Sequence, residues 1–394
     1  MLRRFFYTTL ILALAAPTTH ANEPAGNLIF PLQDKHTHSS SLVECPNGDL
    51  LACWYHGSGE RTADDVQVQG SRSRDSGKTW SPVFVMADSP DLPDCNPVLF
   101  VDAEKRLWLF WAQILANRWE HCLLKYVRAD EYTEDGPPHW NWQDVIVLKP
   151  GDTLPQQIKS GLDSLGFDSG IWGEYAHAYD TMLVEAARDP AKRQRGWMPR
   201  NHVTALPSGR ILLPLYSDGF NLSLTAISDD LGQTWKASSA MVGLGPIQPS
   251  IVRRDSGQLL AYFRDGGGPP QRVQMSISDD EGTTWTPTVD TEVPNPSGSM
   301  EVLRLADGDW LMVNNDTEDS RSSLAVTLST DEGKSWGEPH HLERNPRGSF
   351  GYPSIIQTDD GKIHATYTYT KREKSNSGEA IKHVVFDKAW LTGK

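Results

Sequence analysis

Ser278-Asp279-Asp280-Glu281-Gly282-Thr283-Thr284-Trp285 is one of four near-identical octets in this chain. The others are Ser73-Arg74-Asp75-Ser76-Gly77-Lys78-Thr79-Trp80, Ser228-Asp229-Asp230-Leu231-Gly232-Gln233-Thr234-Trp235 and Ser329-Thr330-Asp331-Glu332-Gly333-Lys334-Ser335-Trp336. In the shared pattern Ser-x-Asp-x-Gly-x-(Thr/Ser)-Trp each residue has a task in a tight turn between strands. The Asp accepts hydrogen bonds from its own loop, and Gly supplies the positive φ. Thr or Ser opens the next strand, and the Trp ring is expected to bury under the loop. Catalysis needs one acid, not four equivalent ones, so these aspartates read as scaffold. Near-identical copies at intervals mark a repeat protein.

A longer unit surrounds each box. His202–Leu213, Ser250–Ala261 and Met300–Met312 each read as an apolar strand, a turn at Gly209, Gly257 or Gly308, and a second apolar strand. Ser40–Trp54 turns at Asn47-Gly48, Pro353–Tyr367 at Asp360-Gly361, and Pro97–Trp111 at Asp102-Ala103-Glu104-Lys105. Alternating apolar residues on both sides of such turns predict β-hairpins. The box then joins a third strand to a fourth. Six units, about fifty residues apart where regular, predict an all-β, six-bladed β-propeller of four strands per blade. The second unit lacks a box and runs into a long irregular insertion, about 130–196, that carries Pro137-Pro138, Trp140, Trp142 and Trp172. Insertions of that length are usually functional loops. Ile381–Phe386 reads as a late strand, with Asn27–Leu32 placed to complete the sixth blade from the other terminus.

The chain has 394 residues, 38% of them hydrophobic, enough for one large propeller domain over residues 22–394 without a second domain. A net charge of −14 argues against nucleic acid and anionic membrane as partners and requires any anion site to be a local Arg cluster. Residues 1–21 read as a signal peptide: Arg3-Arg4, an apolar run from Phe5 to Ala16, then Thr19-His20-Ala21 as a cleavage site. The expected location is therefore secreted or periplasmic, with no membrane insertion after cleavage. Export makes Cys45, Cys53, Cys95 and Cys122 potential disulfide partners. Cys45 and Cys53, flanking a hairpin turn, are placed to face each other, and the connectivity stays open. No Cys/His spacing suggests a zinc site, no cofactor is implied, and a monomer is expected.

In a propeller the inner strand of each blade starts near the axis, so the strand entrances supply the central pocket. They are polar here. The first unit offers His36, His38, Tyr55, His56, Glu60, Arg61, Asp64 and Asp65, and the second Asp94, Asn96 and Gln113. The third offers Arg200, Asn201, His202 and Asp218, and the fourth Gln248, Arg264 and Asp265. The fifth offers Asn295, Asn314, Asn315, Asp316 and Arg321, and the sixth Tyr352 and Tyr367. Six entrances of this kind together point to a glycan pocket.

The octet resembles the Asp box of sialidases and related β-propellers, and the likeness covers nearly all of the mature chain at the level of blades. Sialidases hold the substrate carboxylate with three Arg, use an Asp as acid/base, and use a Tyr nucleophile primed by a Glu. Tyr352-Pro353-Ser354-Ile355 before Asp360-Gly361 resembles the strand that bears that Tyr. Arg264 and Arg321 resemble the second and third clamp arginines, and Asp64 or Asp65 falls near the acid/base position. Two positions depart from the pattern: His38 stands where the first Arg belongs, and Gln248 where the priming Glu belongs. A neutral amide takes no proton from a phenol, and a tyrosine of ordinary pKa near 10 is a poor nucleophile. His38 can serve as acid or base where an Arg cannot. Arg200-Asn201-His202 opens the third blade with three polar groups and is assigned to substrate binding.

The resemblance implies a secreted, exo-acting glycoside hydrolase for an acidic glycan with a modified active site. Tyr352, Asp64, Asp65, His38 and Gln248 are its catalytic candidates, and Arg264, Arg321, Arg200, Asn201 and His202 its substrate-binding ones. Two alternatives stand beside it: a polysaccharide lyase acting on a uronic-acid glycan by β-elimination, and a glycan-binding propeller without catalysis.

Overall fold

A computed structural model of the chain describes residues 24–165, 171–373 and 377–393. The expected signal peptide, residues 1–21, lies outside the described residues. The rest forms six antiparallel sheets arranged as a six-bladed β-propeller. The inner strands, in blade order, are His36–Glu44, Asp94–Val101, the broken pair Met198–Pro199 and Thr204–Ala205, Pro246–Arg253, Glu301–Arg304 and Gly348–Gln357. The outermost strand of the sixth blade is Ala25–Gln33, paired with Gly378–Phe386. The first described strand thus closes the ring on the last, as Asn27–Leu32 predicted.

The four boxes build one geometry. In the third, Ser278 Oγ donates to Asp280 Oδ1 (2.9 Å) and accepts from Gly282 N (2.9 Å). Asp280 in turn accepts from Thr284 N (2.8 Å) and Thr284 Oγ1 (2.7 Å). Positive φ falls on Glu281 (53°) and Gly282 (81°), and on the equivalent pair in the other copies. The glycine also makes room. A Cβ on Gly77 would meet His383 of the sixth blade, on Gly232 Trp108 of the second, on Gly282 Leu212 of the third, and on Gly333 Tyr262 of the fourth. Each box therefore docks on the blade preceding its own. The tryptophans depart from expectation: Trp285 is buried, but Trp80, Trp235 and Trp336 are only half-buried beside their loops.

The apolar core is layered between blades rather than gathered at one centre. One cluster joins the first and second blades through Leu51, Met86, Leu109 and Trp111, and another joins the fifth and sixth through Leu311, Val326, Phe350 and Ile355. The insertion also departs from the irregular segment expected. It supplies strand Trp142–Ile146, the fourth of the second blade, and then helices Leu154–Ser164, Ile171–Arg188 and Pro190–Arg193. Leu154, Ile158, Leu183 and Ala187 of these helices pack into the layer between blades two and three. Gly161 faces Val242 so closely that a Cβ there would collide, which sets how near the first helix lies to the third blade.

The four cysteines correct another expectation: all are free and buried. The register places Cys53 opposite Ser41, four residues from Cys45 along the ladder. At about 3.3 Å per residue that is about 13 Å, far beyond disulfide reach. Cys95 pairs with Ala112, which pairs with Leu124 on the strand that holds Cys122, so these two thiols lie two strands apart.

Candidate active site

Four inner strands break their ladder near the axis, between His38 and Ser41, Cys95 and Val98, Ile247 and Ser250, and Gly351 and Ser354. Each break holds one residue of positive φ: Ser39 (60°), Asn96 (53°), Gln248 (58°) and Tyr352 (53°). A proline follows in three of them, at 97, 249 and 353. Such bulges re-aim a side chain out of the sheet. Positive φ at a tyrosine or glutamine persists only where the surroundings impose it, and such residues concentrate at functional sites. In the third blade the strand is interrupted instead, leaving Arg200 and Asn201 in the gap.

The gap residues form the floor. Arg200 is buried, donating to Ser40 O (3.2 Å) and Pro353 O (2.9 Å), so one guanidinium ties the bulges of blades one and six. Its Cζ lies 5.2 Å from the Tyr352 ring centre. Asn201 Nδ2 donates to Gln248 O (2.8 Å) and supports the bulge of blade four. His202 approaches Glu301 Oε1 through both its backbone N and Nδ1, each at 2.9 Å, and Glu301 Oε2 accepts from Ile355 N (2.7 Å). Burial works to raise the Glu301 carboxyl, but His202 and Arg200 outweigh it and hold it below the usual range.

Tyr352 stands on this floor. Arg264 Nη1 donates to its hydroxyl (3.0 Å), and the Arg321 guanidinium lies 5.5 Å from its ring centre. Ser297 anchors both arginines, through its Oγ to Arg264 Nε (3.1 Å) and its carbonyl to Arg321 Nη2 (2.5 Å). Asn96 Nδ2 donates to the Tyr216 hydroxyl (3.0 Å). Burial alone would raise the Tyr352 pKa. Arg264 and Arg321, with a smaller contribution from Gln248, overcome that, and the net shift is downward from 10. Tyr216 moves the opposite way, because burial and then Asp218 raise it and it has no such pair of cations.

The wall facing Tyr352 is a histidine–carboxylate cluster. The His38 ring lies 3.9 Å from the Tyr352 ring, tilted by 56°. Burial, with the charges of His36, Arg321 and Arg200, keeps His38 neutral, its pKa well below the usual value. His36 is the reverse. Burial opposes its charge, but Glu379 at Nδ1 (2.8 Å) and Glu60 at Nε2 (3.2 Å) raise its pKa to about 9. Tyr55 Oη donates to Glu60 Oε1 (3.0 Å), and Glu60 is driven down to about 2, against its own burial, chiefly by the hydrogen bond and charge of His36 and also by Tyr55. At neutral pH the wall is one imidazolium between two carboxylates, beside a neutral imidazole.

Of the residues singled out from sequence, Tyr352, His38, Gln248, Arg264 and Arg321 meet here. Asp65 does not, which is a correction. It is exposed, bound to Lys35 Nζ (2.7 Å), Ser58 N (2.8 Å) and Ser58 Oγ (2.6 Å), and those bonds close the loop from 58 to 65. Asp64 is exposed in the same loop. The loop holds Asp65 in those bonds and folds Glu60 back onto Tyr55 and His36. Arg200 is likewise corrected, from substrate-contacting group to buried support, and Asn201 shares that role. Tyr367 leaves the pocket list too, because its hydroxyl donates to Glu343 (2.7 Å). Sequence reasoning missed Glu301 and Tyr216. The one available signal for Glu301 was an acid set between Met300 and Val302 at the head of an inner strand.

A six-bladed propeller with Asp boxes and a Tyr flanked by arginines at its axis defines a member of the sialidase superfamily. Residues 48–162 and 196–365 match the BNR repeat-like domain family, and the chain belongs to it. It is similar to a sialidase of Micromonospora viridifaciens, 28% identical over 379 residues. That match covers 90% of this chain and 52% of the relative, so the chain spans about half the relative's length. Among solved structures it resembles a Dyadobacter fermentans protein of unknown function (TM-score 0.69, 16% identity, 94% of this chain and 99% of that one). It also resembles the leech intramolecular trans-sialidase (TM-score 0.66, 13% identity, 94% and 71%). These structural likenesses concern the fold.

Proposed function

We propose that the protein is an exported, exo-acting glycoside hydrolase that removes an acidic sugar from a glycan, with Tyr352 as nucleophile. The observation that carries this reading is the Tyr352 hydroxyl, which accepts an N–H from Arg264 while the Arg321 guanidinium lies 5.5 Å from its ring centre. A charged donor on the phenol oxygen and a second cation beside it favour the phenolate, so the arginines do by electrostatics what a priming Glu does by proton transfer. Arg264 and Arg321 also neutralise the substrate carboxylate. Tyr352 attacks the anomeric carbon as the bond to the leaving oxygen breaks, and that oxygen takes a proton from the His36–Glu60 pair. Water then displaces the tyrosine, returns its proton to that pair and frees the phenolate. The apolar run in residues 5–16 supports export.

One observation favours a second reading. His38 Nδ1 is buried with no hydrogen-bond partner among the described residues, and its neutral ring abuts Tyr352. A free, neutral imidazole suits removal of the C5 proton of a uronic acid, with elimination of the 4-linked oxygen. Mass spectrometry of products from sialylated and uronic-acid glycans separates the two. Products carrying an added water support the hydrolase, and unsaturated products support the lyase. Binding without any product refutes both.

A further inference from the structure

A cavity of about 600 Å³ opens between the first and second blades, away from the axis, lined in part by Trp111, Trp140 and Trp142. Two of these come from the insertion that sequence analysis marked for its tryptophans. All three indole N–H groups are already engaged by the protein. Trp111 Nε1 donates to Asp94 Oδ1 (2.6 Å), Trp140 Nε1 to Met86 O (2.9 Å) and Trp142 Nε1 to Tyr126 Oη (2.9 Å). Trp111 is buried beneath Lys125, while Trp140 and Trp142, tethered in this way, are fixed in orientation and have only their π surface to present. Trp142 is nevertheless 51% exposed, a large aromatic surface left in water. Around the rings stand Asp88, Lys125, Asn141 and Gln143, with Lys125 Nζ 5.1 Å from the Trp111 ring centre.

We propose that this cavity is a second, non-catalytic glycan site that holds neutral sugar units. A pyranose has one face of C–H groups, which packs on an indole, and a rim of hydroxyls, which Asp88, Asn141 and Gln143 are placed to bond. Asn141 already donates to Asp130, but a purely apolar ligand would desolvate Asp88, Gln143 and Lys125 without offering them partners. An acidic sugar finds no spare cation, because the one lysine in the lining lies over Trp111 and interacts with the Asp94 carboxylate. The volume falls within the roughly 300–1,000 Å³ range of small-ligand sites. Pre-tethered rings also lower the ordering cost of binding. The lining shares no residue with the Tyr352 pocket, so the site stands whether or not that pocket hydrolyses anything.

The test uses the full chain carrying Tyr352→Phe, so that nothing is turned over, titrated with neutral gluco-, galacto- and manno-configured tetrasaccharides. Binding is read from the indole N–H resonances by NMR. At least one sugar is expected to shift the Trp140 and Trp142 resonances. Trp142→Ala should weaken that sugar about tenfold with an unchanged thermal midpoint, and Trp142→Phe, which keeps a flat ring, should restore most of the affinity. The proposal is overturned if no neutral sugar moves these resonances at millimolar concentration or if binding survives Trp142→Ala. It also fails if sialylated or uronic-acid sugars bind there more tightly than neutral ones.

Discussion

Lowering the pH below neutrality should open the seam where the ring closes. His364 Nδ1 and His383 Nε2 lie 2.9 Å apart, buried on adjacent strands of the sixth blade with their rings stacked. His383 also meets the first box, edge-on to Trp80 and directly against Gly77. Burial lowers His364 to about 4, and burial together with His364 lowers His383 to about 3. Both are therefore neutral in the folded protein, while the unfolded chain binds protons near 6.5. Stability from this pair is full above pH 6.5 and is lost as pH falls toward the folded values. At about pH 4.5 each histidine is about 2 units below its unfolded pKa, which at about 1.36 kcal/mol per unit gives about 2.7 kcal/mol. Two such groups remove about 5 kcal/mol, a large part of a usual total of about 5–15 kcal/mol. Urea unfolding between about pH 7.5 and pH 4.5 should show that loss in the native chain and a much flatter response in the His364→Gln/His383→Gln double variant. The comparison cancels other titrating groups, including His36, whose raised pKa acts in the opposite direction. Equal slopes in the two proteins would refute the reasoning, as would histidine NMR signals showing both rings titrating near 6.5.

Tyr352→Phe should cut turnover at least about a thousandfold with little change in thermal midpoint, read by product assay and calorimetry. Gln248 works to lower the Tyr352 pKa, so Gln248→Glu, which puts a negative charge beside the phenol, should raise it. Ultraviolet titration against Tyr352→Phe measures it, and an unchanged or lower value would contradict the electrostatic account. Glu60→Gln should lower turnover about a hundredfold, whereas Asp65→Asn should leave it within a few-fold; the reverse order would restore the acid role to the outer loop. Asp280→Ala removes the acceptor of the third box and should cost about 1–2 kcal/mol in chemical unfolding with turnover intact.

The propeller is legible in the sequence because its determinants are local and repeated. Asp280, Gly282 and Thr284 satisfy one another within a single turn, and the same octet forms the same turn four times. Hairpins around Gly209, Gly257 and Gly308 are equally local, so their number and spacing gave the blades. Tyr352, Arg264 and Arg321 could be placed from residue type and position along a strand. What the tertiary structure alone decided were relations between blades. Asp65 and Glu60 lie in one loop, and only its closure by Ser58 determines which carboxylate turns inward. Arg200 reads as an exposed cation until the carbonyls of Ser40 and Pro353, from two other blades, are seen to enclose it. Gln248 looked like the loss of a primer. Its effect on Tyr352 depends on an arginine from its own blade and another from the fifth, both converging on one phenol from the sixth. Charge, burial and hydrogen bonding at that oxygen are sums over distant parts of the chain, and no local pattern of residues contains them.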